Sequence, residues 1–317
     1  MSTDKQIIAV VGATGTQGGG LVRALLADPE REFLVRAITR KPNSERAVEL
    51  ARLGAEVVTA DIDDAASLAR AFRGAYGAFC VTNFWEHFST DKEVAQAKAL
   101  ADAVKSEGVE RVVWSTLEDT RRYIPLSDDR IPTLQGKYKV PHFDGKGEAD
   151  QFFRETGAAV TYLIAGFYWE NLIYYPGLGP TRGPDGKVAL VMALGDGKLP
   201  GIAAEDIGPG IFGVFKSGPE YVGKYVGLSG EHLTGAEMAA RLSEFLGPVG
   251  YSPLTPEGFR ALGFPGADDL GNMFRHHQDF NRELCELRDV EVTRKLHPRV
   301  KTFTQWLETN ASRIPIS

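Results

Sequence analysis

Ile7-Ile8-Ala9-Val10-Val11-Gly12-Ala13-Thr14-Gly15-Thr16-Gln17-Gly18-Gly19 is the stretch whose reading decides the fold. Its head is a short apolar run, largely β-branched, of the kind that becomes a buried parallel strand. The glycines that follow stand where the chain must turn sharply into a helix, and the combination reads as a dinucleotide-phosphate site. Gly12 permits the tight turn, Gly15 lets the backbone approach a pyrophosphate, and Gly18 lets the helix pack closely on the strand. A helix from about Gln17 through Leu25-Leu26 to Asp28 then aims free N–H groups and the positive end of its dipole at the phosphates. With 35 glycines in the chain the pattern alone is weak; the strand before it and the helix after it give it weight.

Outward from this loop, short apolar runs alternate with helical patterns. The candidate strands are Ile7–Val11, Phe33–Thr39, Glu56–Thr59, Ala78–Thr82, Arg111–Ser115 and Ala159–Ile164. Ser44 caps a helix over Glu45–Leu53 that Gly54 stops, and Thr90 with Glu93 has capping-box spacing for a long helix closed by Gly108. Asp144 to Arg154 reads as a further helix ended by Gly157. This alternation predicts an α/β fold with a doubly wound parallel sheet, a Rossmann domain over residues 1–165 completed at about 200–228. Residues 166–199 and 229–317 are expected to form a smaller, mostly helical lobe for substrate or partner. Within it Thr234 and Glu237 have capping-box spacing, and Thr255-Pro256-Glu257 opens a helix. The charged segment Asp119–Val140, with Pro125 and Pro132, reads as a mobile surface excursion.

Composition removes several classes of function. The chain has 317 residues, 43% of them hydrophobic, enough for a nucleotide-binding domain of about 150 residues and a second lobe. No run approaches the roughly 18 apolar residues of a membrane span, and the polar start Met1-Ser2-Thr3-Asp4-Lys5-Gln6 lacks a signal peptide's apolar segment. Cys80 and Cys285 are the only cysteines, so a disulfide framework is not expected and a cytoplasmic setting is. A net charge of −6 without a Lys/Arg block argues against direct nucleic-acid binding.

An NAD site usually carries Asp or Glu at the end of the second strand, where it binds the ribose diol. Here the strand ends Thr39-Arg40-Lys41, and two cations suit a 2′-phosphate instead. Alone they would read as solvated loop charges; after the glycine loop they point to NADP(H) over NAD(H). Asp61 is placed to accept from the adenine amino group, while Asp63 or Asp64 better suits the cap of the next helix.

With these blocks in place, the chain resembles the NmrA-like family of atypical short-chain dehydrogenases. The likeness runs through Gly54-Ala55-Glu56-Val57-Val58, Val81-Thr82-Asn83-Phe84-Trp85-Glu86, His142-Phe143-Asp144-Gly145-Lys146-Gly147-Glu148 and Phe167-Tyr168-Trp169-Glu170-Asn171. It reaches Gly263-Phe264-Pro265-Gly266-Ala267 and Asn272-Met273-Phe274-Arg275 near the other end. Within the family the likeness is to redox-sensing members more than to demonstrated enzymes. It implies that the dinucleotide contacts Gly12, Ala13, Thr14, Gly15, Thr16, Gln17 and Gly18, then Arg40, Lys41, Asp61 and Ile62. It further implies contacts from Thr82, Asn83, Phe84 and Lys146, and from Phe167, Tyr168, Trp169 and Glu170.

Short-chain dehydrogenases use a Tyr four residues before a Lys, the Lys lowering the Tyr pKa so that the phenol moves a proton near neutral pH. Here Lys146 is preceded at that spacing by His142, and Tyr138 lies beyond Pro141, which breaks a continuous helix. Either His142 or Lys146 transfers the proton, with Ser115 or Thr116 binding the substrate oxygen, or Lys146 only holds the ribose. The resemblance favours the second alternative, which makes the protein a regulator that reports NADPH against NADP through a protein partner; the first makes it a reductase of a small carbonyl, quinone or aromatic polyketide-type substrate. Phe167, Tyr168, Trp169, Tyr174 and Tyr175 suggest an aromatic-walled pocket for a flat molecule. No metal site is expected, since His276-His277 are adjacent and lack spaced partners. Monomer and homodimer both remain open.

Overall fold

The computed structural model describes residues 5–175 and 177–317; Met1–Asp4, part of the polar start, lie outside them. The chain divides into two compact units. The first comprises Met1–Asp119, Gly145–Ile164 and Glu205–Val226, the second Thr120–Asp144, Ala165–Ala204 and Gly227–Ser317.

The first unit is built on β1 (Gln6–Val10), α1 (Thr16–Leu26), β2 (Phe33–Thr39), α2 (Glu45–Leu53), β3 (Glu56–Thr59), α3 (Ala65–Phe72), β4 (Gly77–Cys80), α4 (Thr90–Ser106), β5 (Arg111–Ser115), α5 (Pro141–Arg154, from Gly145 onward) and β6 (Ala159–Ala165, up to Ile164). Its seven-stranded sheet runs, from one edge, Tyr225–Leu228, β6, β5, β4, β1, β2, β3. The pairs β1–β2, β1–β4, β2–β3, β4–β5 and β5–β6 are all parallel. The chain therefore starts mid-sheet, winds outward through β2 and β3, and returns past β1 to β4. The ends of β1 and β4 flank the point where the winding reverses, which is where such sheets bind ligands.

Helices cover both faces, so the middles of the central strands are apolar: Ile8, Ala9, Val10, Val112, Val113 and Trp114 are completely buried. Ser44 accepts from the Ala47 N–H at the start of α2, and Gly54 ends it at φ +109°, a left-handed position that glycine takes without strain. On α1, Gly20 meets Gly208 of the Ala204–Lys216 helix. A Cβ at Gly208 would stand 2.1 Å from the Gly20 carbonyl carbon, so only glycine allows this contact.

Two local expectations are corrected. The cap of α4 is Ser89, accepting from the Lys92 N–H, and not Thr90 in a capping box with Glu93. Both Thr90 and Glu93 are fully buried, and the Glu93 carboxylate turns inward to a buried ammonium. The helix bearing Lys146 begins at Pro141 rather than Asp144, since proline is well suited to a first helical position. Tyr138 stays outside it.

Among its described residues the second unit holds helices over Asn171–Tyr174, Gly235–Leu246, Pro256–Arg260, Ala267–Asp279, Asn281–Leu287, Val290–Leu296 and Phe303–Asn310, and two small sheets. One orders Glu231–Thr234, Lys198–Ile202 and Phe167–Tyr168; the other orders Val249–Tyr251, Val188–Leu190 and Pro180–Arg182. The Thr234–Glu237 capping box forms, and Thr255 caps its helix with Pro256 in the first turn.

The segment expected to be a mobile excursion is largely built into this unit. Ile124, Ile131 and Val140 are completely buried. The buried Lys139 ammonium donates to the carbonyls of Asp128 at 2.7 Å and Ile131 at 3.0 Å. Asn272 donates to the carbonyls of Pro132 and Lys139 at 3.0 and 2.6 Å. Apolar side chains and satisfied backbone groups fix it, which its charge content concealed. Among the described residues no helix is long and apolar enough to cross a membrane.

Candidate functional site

The glycine loop leaves β1 at Val11 and enters α1 at Thr16. Gly12 has φ +64°, and a Cβ there would also press on Val81 at 3.2 Å. The Gly15 N–H closes the turn onto the Gly12 carbonyl at 2.8 Å, and Ala13 N–H donates to the Ile38 carbonyl at 3.2 Å. Gly18 allows the closest approach: its Cβ would lie 2.5 Å from the Gly12 oxygen. Gly15 is the N-cap of α1 and makes no side-chain cap bond there. Gly12, Gly15 and Thr16 are exposed while Ala13 and Gly18 are buried. A helix N-terminus with no side-chain cap, opened by exposed glycines, is a cradle for an anion.

Around it stand three cations. Arg40 and Lys41 follow β2 and both are exposed. Arg46, on the first turn of α2, donates to the Thr14 carbonyl at 3.1 Å and was not anticipated. The Arg40 guanidinium is engaged fork to fork by Glu86, at 2.6 Å (Nη1–Oε1) and 2.9 Å (Nη2–Oε2). That contact holds the Glu86 carboxyl below its ordinary range. Asp61 is exposed at the end of β3, where its carboxylate accepts from the Asp63 N–H at 3.1 Å; Ile62 packs against the core. Asp64 caps α3.

Lys146 projects from α5 to the ends of β4 and β5. Its ammonium donates to Thr82 Oγ1 at 2.8 Å, the Thr82 carbonyl at 3.2 Å and the Ser115 carbonyl at 3.4 Å, and pairs with Glu93 at 3.0 Å. The Thr82 hydroxyl donates to the same carboxylate at 2.7 Å. Glu93 therefore takes up the Lys146 charge that a free ammonium would present. The 3₁₀ turn after β4, Phe84–Glu86, follows exposed Asn83 and is rooted by buried Phe84. Thr116 is spent elsewhere: its hydroxyl donates to Asp150 at 2.7 Å, alongside the Trp114 indole at 2.9 Å. Burial pushes the Asp150 carboxyl up.

His142 and Phe167–Glu170 belong to the second unit. Asp269, on the Ala267–Asp279 helix, accepts from the His142 backbone N–H at 3.1 Å and meets its Nδ1 at 2.6 Å. Both side chains are buried. A carboxylate on Nδ1 fixes the orientation of the ring. The Trp169 indole is packed against Gly201, Phe303 and Trp306, so its side chain belongs to the core of this unit. Both oxygens of Glu170 are engaged, accepting from Ala204 N–H and Trp306 Nε1, each at 2.8 Å. Phe167 and Tyr168 form a short strand and are half-buried; Tyr174 and Tyr175 are exposed. Burial pushes up the thiol pKa of Cys80 and of Cys285, neither of which is an activated nucleophile.

Glu86, Glu93 and Asp269 were missed as site residues. Glu93 carried a signal, its capping spacing, which pointed to the wrong partner; Asp269 is 127 residues from His142, beyond any local pattern.

The NmrA-like family profile matches residues 4–307. The NmrA-like family domain-containing oxidoreductase FrzB of Cladobotryum sp. is 31% identical over 296 residues, covering 86% of this chain and 84% of its own. The oxidoreductase ptmS of Penicillium ochrochloron, described in the same family terms, is 28% identical and covers 96% and 98%. Among solved structures, NmrA, a negative transcriptional regulator, superposes with a TM-score of 0.78 at 25% identity, over 96% of this chain and 95% of that one. NmrA has also been crystallised with NAD and with NADP, and those forms match at 0.77 and 0.76. The chain belongs to the NmrA-like family.

Proposed function

We propose that the protein binds NADP(H) on its first unit and is an oxidoreductase of a small carbonyl or quinone. The observation that carries the binding is the cradle itself: exposed glycines at an uncapped helix N-terminus, where a Cβ on Gly18 would collide with backbone. NmrA crystals that hold NAD and NADP support it. Amides at the start of α1 bind the pyrophosphate, Arg40 and Lys41 read the 2′-phosphate, and Asp61 accepts from the adenine amino group. Lys146, held by Glu93 and Thr82, orients the nicotinamide ribose. When bound, the cofactor supplies the hydride. His142, whose ring Asp269 holds at Nδ1, is the proton donor of this reading. Exposed aromatics of the second unit suit a flat substrate, and the FrzB and ptmS relatives, both named oxidoreductases, support the reaction class.

One observation favours a second reading. The Tyr four residues before Lys146 is replaced by His142, and the Lys146 charge is met by buried Glu93 rather than turned to lowering a phenol pKa. A protein without turnover would be a regulator that reports cofactor state to a protein partner. Its output requires NADP and NADPH to differ in affinity between two conformations.

NADPH consumption at 340 nm, measured over a panel of quinones and aromatic carbonyls, separates the two. The reductase shows substrate-dependent loss, and His142→Gln lowers kcat by about 10²- to 10⁴-fold while NADPH still binds. Tight NADPH binding with no turnover on any substrate removes the reductase and leaves the regulator.

A further inference from the structure

We propose that Glu86 sets the choice between NADP and NAD by competing with the 2′-phosphate for Arg40. This rests on Arg40 as the phosphate reader argued above. The two guanidinium bonds, 2.6 and 2.9 Å to separate carboxylate oxygens, form the bidentate arrangement that Arg makes with carboxylate or phosphate. The same pair of donors cannot serve both anions in that geometry. A 2′-phosphate that docks on this bidentate edge of Arg40 must displace a carboxylate of the same sign.

The rest of the neighbourhood sharpens the competition. Asp61 and Asp63 also act on Arg40, and Asp63 is itself held by Lys92 at 3.2 Å and Gln96 at 2.9 Å. The turn bearing Glu86 is not a loose tether. Phe84 is buried at its root and packs edge-on to Trp85 at 5.3 Å, and the Glu86 N–H donates to the Asn83 carbonyl at 3.2 Å.

The consequence differs between cofactors. NAD carries a neutral 2′-hydroxyl, which takes nothing from Arg40 and can donate to a carboxylate. Glu86, brought from the turn after β4 to the residue that ends β2, supplies the acceptor that NAD sites usually place on the second strand itself. Glu86 and Arg40 thus oppose one another: the carboxylate favours NAD and the guanidinium favours NADP. Both side chains are about half exposed, at 47% and 54%, so exchange is cheap and the effect modest.

Calorimetric titration with NADP and with NAD tests this on the parent, Glu86→Gln, Arg40→Ala and the double variant. Glu86→Gln is expected to tighten NADP by up to about fivefold and to leave NAD unchanged or about twofold weaker, the range of exposed pairs. In the Arg40→Ala background the same change should alter NADP binding by less than about twofold, because the contested donors are gone. An unchanged NADP-to-NAD affinity ratio in Glu86→Gln, with a ratio that falls in Arg40→Ala, overturns the competition and leaves the phosphate reader standing. A ratio unmoved by Arg40→Ala overturns both. Melting temperatures of the four proteins without ligand confirm that the surface changes leave the fold intact.

Discussion

Replacing Gly15 by Val should separate binding from folding, and replacing Gly18 by Ala should not. Gly15 has φ −88° and ψ −176°, extended backbone that any residue adopts, and its added Cβ would meet only the Gly12 oxygen, at 3.2 Å. That single contact asks the loop to give by only a few tenths of an ångström, and the cost is expected within about 1 kcal/mol. The new side chain would stand over the amides opening α1. Loss of two charge-assisted bonds to phosphate, about 1.5–3 kcal/mol each, weakens the dinucleotide by roughly 10²- to 10⁴-fold. At Gly18 the added Cβ would lie 2.5 Å from the Gly12 oxygen and 2.7 Å from the Gly12 carbon and the Val11 oxygen. All three atoms are backbone, so the loop itself must move, at a cost of about 1–3 kcal/mol. Thermal melts with and without NADP read both effects. Gly15→Val should melt near the parent and gain nothing from ligand, while Gly18→Ala should melt several degrees lower, by about 2–4 °C per kcal/mol. Full ligand stabilisation of Gly15→Val would refute the placement of the phosphate.

Lys146→Met should destabilise the first unit by about 3–5 kcal/mol, since it strands the buried Glu93 carboxylate. Adding Glu93→Gln should restore part of that loss in denaturant titrations, whereas strictly additive losses would mean the two residues do not act as a pair. The second unit should weaken in acid through His277. Burial, then His276, Arg288 and His142, hold its imidazole well below the ordinary value, and neither ring nitrogen has a hydrogen bond. The unfolded chain takes up a proton below about pH 6.5 and the folded one does not, so stability falls there with a slope approaching about 1.4 kcal/mol per pH unit. His277→Phe should flatten the fall in melting temperature between pH 7 and pH 5, and an unchanged slope would contradict the assignment.

Much of the first unit was legible because local chemistry punctuates it. The ranges Phe33–Thr39, Glu45–Leu53, Glu56–Thr59 and Arg111–Ser115 coincide with the sequence reading, each an apolar pattern bounded by caps or glycines. The pairings of the two small sheets in the second unit were not legible because strands of two to five residues carry little periodicity and pair across long separations, as Gly201 with Phe167 and Val249 with Val188 do. The glycine loop was legible in part because Gly12 and Gly18 answer local steric demands, a left-handed turn and a close backbone approach. Glu93 was not, because its spacing from Thr90 serves a capping box as well as an inward turn to Lys146. Asp269 and Glu86 act on His142 and Arg40 through tertiary proximity, which single-sequence spacing does not record.

The central claim is that the first unit binds a dinucleotide and reads its 2′-phosphate. Calorimetric titration of the unmodified protein with NADP and NAD under identical salt tests it directly. One molecule of NADP per chain, bound more tightly than NAD and with the advantage shrinking as salt rises, is the result expected from Arg40 and Lys41. Absence of binding, or tighter binding of NAD, would contradict it.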